Sequence, residues 1–281
     1  MILIAESSSS ATEWCLVEND VMIEHYVTEG INPFFQTRKD ISRLIRLNLP
    51  EVFFKSKVTA IYYYGAGCLT PEKKNIVKAS LETQIKARTQ VESDVFGAAR
   101  AMFQHQSGIA CMLDIDSSSC FYNGEKIEKR VRPLGYILGD EGSSAVLGKL
   151  FVADCLKKLA PEMIMKSFYE RYGITADRII DMIYTQPFPN RRLSEMSFFL
   201  SEHIYHPYVH NLVYMNLKSF FTRNVLQFDH TNYPIRIAGR VANTYSELIM
   251  QIADEMRLRI DMIVKSPIQG LIQYHSGGTR L

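Results

Sequence analysis

Two short runs in this chain place acids and hydroxyl residues directly after apolar stretches. Glu6-Ser7-Ser8-Ser9-Ser10 follows Met1–Ala5, and Asp114-Ile115-Asp116-Ser117-Ser118-Ser119 follows Gly108–Leu113. A small-residue corner after a strand offers backbone N–H groups at close range, the chemistry that cradles a phosphate. A Ser-rich surface turn is the plain alternative for the first run taken alone.

The elements that must position these corners follow from local signals. Residues 1 to about 28 read as antiparallel strands, with a turn at Glu18-Asn19-Asp20-Val21. Ile109–Glu128 repeats the plan of Met1–Met22: strand, small-hydroxyl corner, strand, tight turn (here Asn123-Gly124), strand. Two such hairpins facing each other could grip one polyphosphate between two domains. Between them, Ile41, Leu44, Ile45 and Leu49 have helical spacing. Val58–Tyr64 reads as a strand entering Gly65-Ala66-Gly67, and Pro71 opens a helix. A short strand closes at Gln90–Asp94, and Val95–Gln104 reads as a small-residue helix. Beyond the second hairpin, Leu138–Ser144 is a polar turn, and a helix follows from Ala145 with Ser143 or Ser144 as its N-cap. Residues 161–232 are mostly helical by pattern, interrupted at Gln186–Asn190, and their Tyr and Phe residues fit a helical core. Ile235–Ala238 is a short buried strand ending at Gly239. A helix carrying Leu248, Ile249, Ile252 and Met256 on one stripe follows. Ser266-Pro267 opens a last turn through Gln269-Gly270-Leu271, and the tail from Ser276 to Leu281 reads as mobile.

Composition narrows the function classes. The 281 residues are long enough for two packed cores, and a net charge of +2 gives no electrostatic case for nucleic acid or a membrane as main partner. The start lacks the pattern of a signal peptide, and no run is apolar enough to span a bilayer. Five cysteines without CxxC spacing read as reduced thiols of a cytoplasmic protein, and the scattered histidines speak against zinc.

Several stretches, in order, resemble the BadF/BadG-type ATPases, in the N-acetylglucosamine kinase-like branch of the actin-like sugar kinase superfamily. Glu6–Trp14 stands where that family has Asp-Ser-Gly-Ser-Thr-Lys-Thr-Asp-Trp. Gly30-Ile31-Asn32-Pro33-Phe34 is similar to its Gly-Leu-Asn-Pro-Phe, and Tyr64-Gly65-Ala66-Gly67 to its Tyr-Gly-Ala-Gly. Asp94 with Gly97-Ala98-Ala99-Arg100-Ala101 and Leu138-Gly139-Asp140-Glu141-Gly142-Ser143 match further motifs, and Gln186–Asn190 and Ser266–His275 also look familial.

The resemblance implies an α/β, two-domain actin-like ATPase (ribonuclease H-like) fold. Each domain would be a five-stranded mixed sheet flanked by helices, with the ligand cleft between them. The domains would cover 1–106 and 107–268, with 269–281 packing back on the first. It implies transfer of the γ-phosphoryl group of ATP–Mg²⁺ to an amino sugar such as N-acetylglucosamine, and a homodimer. Asp94 would be the base that takes the hydroxyl proton, although the residue alone favours an N-cap acid ahead of Val95. Ser8, Ser9, Ser10, Thr12, Ser117 and Ser118 would line the phosphates. Gly239 and Arg240 would approach the adenosine. Asn32, Gly65, Asp140 and Glu141 would contact the sugar, and Glu6 would sit near Mg²⁺ through water.

The departures fall on the phosphate side. Asp114 and Asp116 replace glycines, Ile115 a threonine, Ser8 a glycine, Ala11 a lysine and Arg240 a serine. Glycine lets backbone approach a phosphate, and an aspartate ~4 Å from a phosphate oxygen opposes it by roughly 4 kcal/mol at an effective dielectric near 20. The expectation is weak or absent ATP binding with the sugar side intact. Three functions therefore compete: a sugar kinase with an eroded nucleotide site, an inactive sugar-binding or regulatory homologue, and an activator ATPase of an acyl-CoA dehydratase. The last needs a cysteine-held iron–sulfur cluster, for which Cys120 and Cys155 make a poor ligand set.

Overall fold

The computed structural model describes residues 1–277. The chain begins β1 (Ile2–Ser7), β2 (Ala11–Glu18), β3 (Val21–Glu29), α1 (Arg38–Asn48), α2 (Glu51–Lys55), β4 (Ala60–Gly65), α3 (Pro71–Gln84), β5 (Arg88–Ser93) and α4 (Asp94–Phe103). It continues β6 (Gly108–Leu113), β7 (Ser117–Tyr122), β8 (Ile127–Arg130), α5 (Gly135–Leu138), α6 (Ser144–Leu156), α7 (Glu162–Tyr172), α8 (Ala176–Thr185), α9 (Pro189–Glu202) and α10 (Pro207–Arg223). It closes with β9 (Ile235–Ala238), α11 (Arg240–Thr244), α12 (Ser246–Met256), β10 (Ile260–Val264) and α13 (Ile268–His275).

The strands form two five-stranded sheets of one topology, ordered β3-β2-β1-β4-β5 and β10-β9-β6-β7-β8. In each, a three-strand antiparallel meander is extended by two parallel strands on the far side of its first strand. The Ser-rich corners thus occupy equivalent positions, each between the first two strands of a sheet. The turn between β2 and β3 is held by Asn19 and Asp20, both with positive φ, the backbone a two-residue hairpin loop requires.

Burial follows the pairing. β1 and β6 are central and almost wholly buried, whereas β3 is an edge strand exposed along nearly its whole length. One face of the first sheet is covered by α1 and α3 around Trp14, Ile41, Phe53 and Tyr63. α13 lies on its other face through Ile268, Leu271 and Ile272. The second sheet packs α4 on one side, through Ala98, Met102 and Phe103. On the other it carries the largest core, where Phe151, Phe168, Phe199, Phe220 and Phe221 join α6, α7, α9 and α10.

Two expectations near the C-terminus are corrected. The anticipated turn at Gln269–Leu271 is helix α13, and β10 stands where no strand was anticipated. Gly270 breaks no helix here. A Cβ on it would sit 2.3 Å from the Ala101 carbonyl, so glycine is what lets α13 cross α4 at close range. The expectation of a mobile tail falls largely on residues 278–281, outside the described ones. All five cysteines are free thiols in buried positions. No described helix is long and apolar enough to cross a membrane.

Candidate active site

The two corners meet across the molecule and divide its central cleft into two cavities. The first, of about 320 Å³, is lined by Asn32 and Asp94 from the first sheet's loops and by Asp116, Ser117, Ser118 and Asp140 from the second. The second, of about 470 Å³, is lined by Ser10, Ile115, Arg240, Arg191, Phe188 and Phe198. The corner 114–119 is therefore the partition: Ile115 faces one side, and Asp116, Ser117 and Ser118 face the other.

Asp94 opens α4 directly after β5, which places its carboxylate at a strand end. Its Oδ1 accepts a 2.7 Å bond from the Val95 amide. Burial pushes its pKa up, while the Val95 amide and the Arg130 guanidinium pull it down. The N-cap reading of Asp94 is corrected: Ser93 is the N-cap and makes no side-chain cap bond, while Asp94 is the first residue of α4, bonds the Val95 amide and lines the first cavity. Asp116 is raised well above the usual carboxylate range by burial first, then by Asp94 and Asp140. Asp140 is raised to about 7, mainly by burial, despite a backbone hydrogen bond from Ser117. The first cavity thus holds three buried acids, each with its pKa raised chiefly by burial.

Cross-cleft bonds form the partition itself. Ser9 Oγ donates to Asp116 Oδ2 at 2.9 Å, and Asn32 Nδ2 donates to Ser9 Oγ at 3.1 Å. Arg240 Nη2 donates to Ser10 Oγ at 2.6 Å. The same guanidinium grips Asp114 with two nitrogens, Nη2 to Oδ1 at 2.8 Å and Nε to Oδ1 at 3.1 Å. Arg191 Nη2 donates to the Gly30 carbonyl at 3.0 Å.

These bonds correct the electrostatic expectation for Asp114. It does not face the cleft as a bare charge, because Arg240, the other large departure, neutralises it in a forked ion pair. The backbone donors of the first corner are also engaged: the amides of Ser10 and Ala11 both donate to Ser8 Oγ at 3.3 Å. Gly239 keeps the role its residue type suggests. Its φ is +124°, and a Cβ there would lie 2.2 Å from the Leu113 carbonyl, so the loop holding Arg240 is pressed against the end of β6.

The remaining anticipated site residues fall in several places. Thr12 is buried, with its hydroxyl bonded to Ser7 Oγ and to the Glu29 carbonyl. Gly67, rather than Gly65, lines the first cavity. Glu141 pairs with Arg223 at 2.6 Å and lines a smaller pocket shared with Asp140. Glu6 is buried in β1, its Oε1 has no partner, and burial and the nearby acids hold its pKa well above the usual carboxylate range. Reading motifs missed Arg130, Asn190 and Arg191. Arg130 Nη2 donates to Ser93 Oγ at 2.7 Å, tying β8 to the start of α4. Asn190 lines the first cavity, and its buried Oδ1 has no partner. The signal for Asn190 and Arg191 lay in the Gln186–Asn190 interruption, where Pro189 starts α9.

Neither a family model nor a curated relative matches the chain. Solved structures do. A protein from Porphyromonas gingivalis called a "putative N-acetylglucosamine kinase" is 40% identical, with 99% of each chain covered and a TM-score of 0.93. Another of that description, from Chromobacterium violaceum, is 12% identical over 98% of this chain and 99% of that one, with a TM-score of 0.75, and shows the shared fold. A ROK-family glucokinase from Streptomyces griseus, solved with glucose and AMPPNP, is 13% identical over 97% of both chains, with a TM-score of 0.56, and again shows the fold. The chain belongs to the N-acetylglucosamine kinase-like family.

Proposed function

We propose that the chain is an ATP-dependent kinase of an amino sugar, N-acetylglucosamine or a close relative. One observation carries this: two cavities share a wall built from both hairpin corners, with a buried carboxylate, Asp94, in one and an arginine-lined mouth in the other. Phosphoryl transfer needs that layout, because the acceptor hydroxyl and the γ-phosphoryl group must meet in line across a short distance.

In this reading the sugar occupies the first cavity. Asn32, Asn190 and Asp140 bond its hydroxyls, and Asp94 accepts the proton of the attacking hydroxyl as its oxygen bonds to phosphorus and ADP leaves. The raised pKa of Asp94 makes it a better proton acceptor than an exposed carboxylate, although positioning and charge neutralisation supply most of the rate. Ser8, Ser9, Ser10 and Arg240 face the nucleotide, and Gly239 keeps the adenosine-side loop close. Ser117 and Ser118, which line the first cavity, stand between sugar and γ-phosphate.

Among the described residues no three His, Cys, Asp or Glu side chains form a metal cage. A kinase Mg²⁺ needs only one or two carboxylates beside phosphates and water, and Glu6, with its unpartnered buried oxygen, fits that part. Glu6 would hold the ion through water, and the ion would supply charge neutralisation at the phosphates. The lobes in this account are 1–106 and 107–268, and the protein is a cytoplasmic homodimer that acts on small molecules.

The inactive sugar-binding reading has one specific support, the Arg240–Asp114–Ser10 contact on the ground between the corners. Calorimetric titration with Mg·ATP, with and without N-acetylglucosamine, separates the two. Nucleotide binding at micromolar to millimolar concentration is expected. Heat from the sugar alone would favour the inactive reading.

A further inference from the structure

We propose that Arg240 is the main phosphate ligand of the second cavity, and that Asp114 is a stand-in anion holding its guanidinium in place until a polyphosphate displaces it. This rests on the nucleotide reading above but assigns the binding chemistry to side chains in place of a glycine-rich backbone cradle.

Four observations converge. The guanidinium lies between the two corners, bonded to Ser10 of one and Asp114 of the other, where a polyphosphate gripped by both would lie. Its grip on Asp114 is forked, and the same planar fork matches two phosphate oxygens. The backbone amides that would otherwise serve are taken by Ser8 Oγ at the first corner. The cavity carries a second cation not held in an ion pair among the described residues. Arg191 donates to the Gly30 carbonyl, its buried Nε has no partner among the described residues, and its guanidinium rests 4.1 Å from the Phe188 ring centroid. Arg192, by contrast, is paired with Glu195.

The replacements at 114 and 240 are then one change. A serine at 240 needs no counter-ion, whereas an arginine half-buried in an empty cleft does. Asp114 supplies it, and the affinity for a polyphosphate becomes a competition between Asp114 and the ligand for one guanidinium. Bond exchange also releases Ser10, so ligand entry breaks one of the ties between the lobes.

The test is calorimetric titration of wild type, Asp114→Asn, Arg240→Gln and Arg240→Lys with Mg·ATP and separately with inorganic tripolyphosphate. Asp114→Asn should bind both probes about tenfold more tightly, because the competitor is gone. Arg240→Gln should weaken both by about tenfold or more, and Arg240→Lys, which keeps charge without the fork, should fall between. Tighter binding by Arg240→Gln would show a plug in place of a ligand and overturn the proposal, as would weaker binding by Asp114→Asn or silence of both probes with wild type and Asp114→Asn. Arg240-dependent tripolyphosphate binding without phosphorylated sugar would sink the kinase reading alone. Sugar phosphorylation with nucleotide affinity unchanged in Arg240→Gln would sink this proposal alone.

Discussion

The two cavities on either side of the hairpin partition are built by different rules. The first is made of residues that arrive at the ends of regular elements: Asp94 at the start of α4, Asn32 in the loop after β3, Asn190 in the first turn of α9. Its acids, Asp94, Asp116 and Asp140, have pKa values raised chiefly by burial, with Arg130 the cation beside them. The second is made of longer side chains, Arg240, Arg191 and Phe198 among them, and it carries three arginines beside Glu29 and Glu195, with Arg240 paired to Asp114 and Arg192 to Glu195. An acid that must take a proton gains from burial without a strong counter-ion. A cation that must take a polyanion gains from being kept in position by an exchangeable one. On the proposed reading, proton chemistry lies on one side of the wall and phosphate binding on the other.

The largest effect should come from the first side. Asp94→Asn is expected to lower sugar-dependent turnover on the order of a thousandfold while sugar binding persists, read by steady-state kinetics beside calorimetry. Equal loss of binding and turnover would instead make Asp94 a positioning group. On the second side, Gly239→Ala should destabilise the fold by about 3 kcal/mol in urea unfolding, because the new Cβ collides with the Leu113 carbonyl at a positive φ. An unchanged midpoint would show that the loop under Arg240 is free to shift.

The contrast in proton chemistry predicts a pH dependence. Asp140 has a folded pKa of about 7, well above the usual carboxylate value, so the native state keeps a proton that the unfolded chain has lost. Its contribution to stability therefore falls as pH rises from about 4 to about 7 and is level above that. Asp140→Asn should gain about 4 kcal/mol at pH 8 relative to its difference from wild type at pH 4. A pH-independent difference would place Asp140 outside the buried-acid group. The smallest effect tests the wall itself. Ser9→Ala removes the hydrogen bond to Asp116 and should cost about 1 kcal/mol in stability. No measurable cost would mean that bond does not hold the partition together.

Much of the fold was legible because its two halves use the same short-range signals. The corners and the tight turns at Asn19-Asp20 and Asn123-Gly124 are local in sequence, and the identical sheet topologies grow from them. β10 was missed because its five residues interrupt the apolar run with Asp261, which pairs with Arg236 of β9. α13 was read as a turn because Gly270 serves a helix crossing that sequence does not display. In the site, Asn32, Asp94 and Asp140 were found through motifs, and all three line one cavity. The Arg240–Asp114 pair was invisible because its members are far apart in the chain and each, taken singly, reads as damage to a phosphate site. Only their contact shows that the two changes offset each other.

The central claim is that this cleft phosphorylates a sugar using Asp94. The most direct measurement is detection of phosphorylated sugar after incubation of the protein with Mg·ATP and N-acetylglucosamine, run in parallel with Asp94→Asn. The account predicts a sugar phosphate formed by wild type and lost about a thousandfold in the variant. No product from wild type under conditions where both ligands bind, or equal product from both proteins, would contradict it.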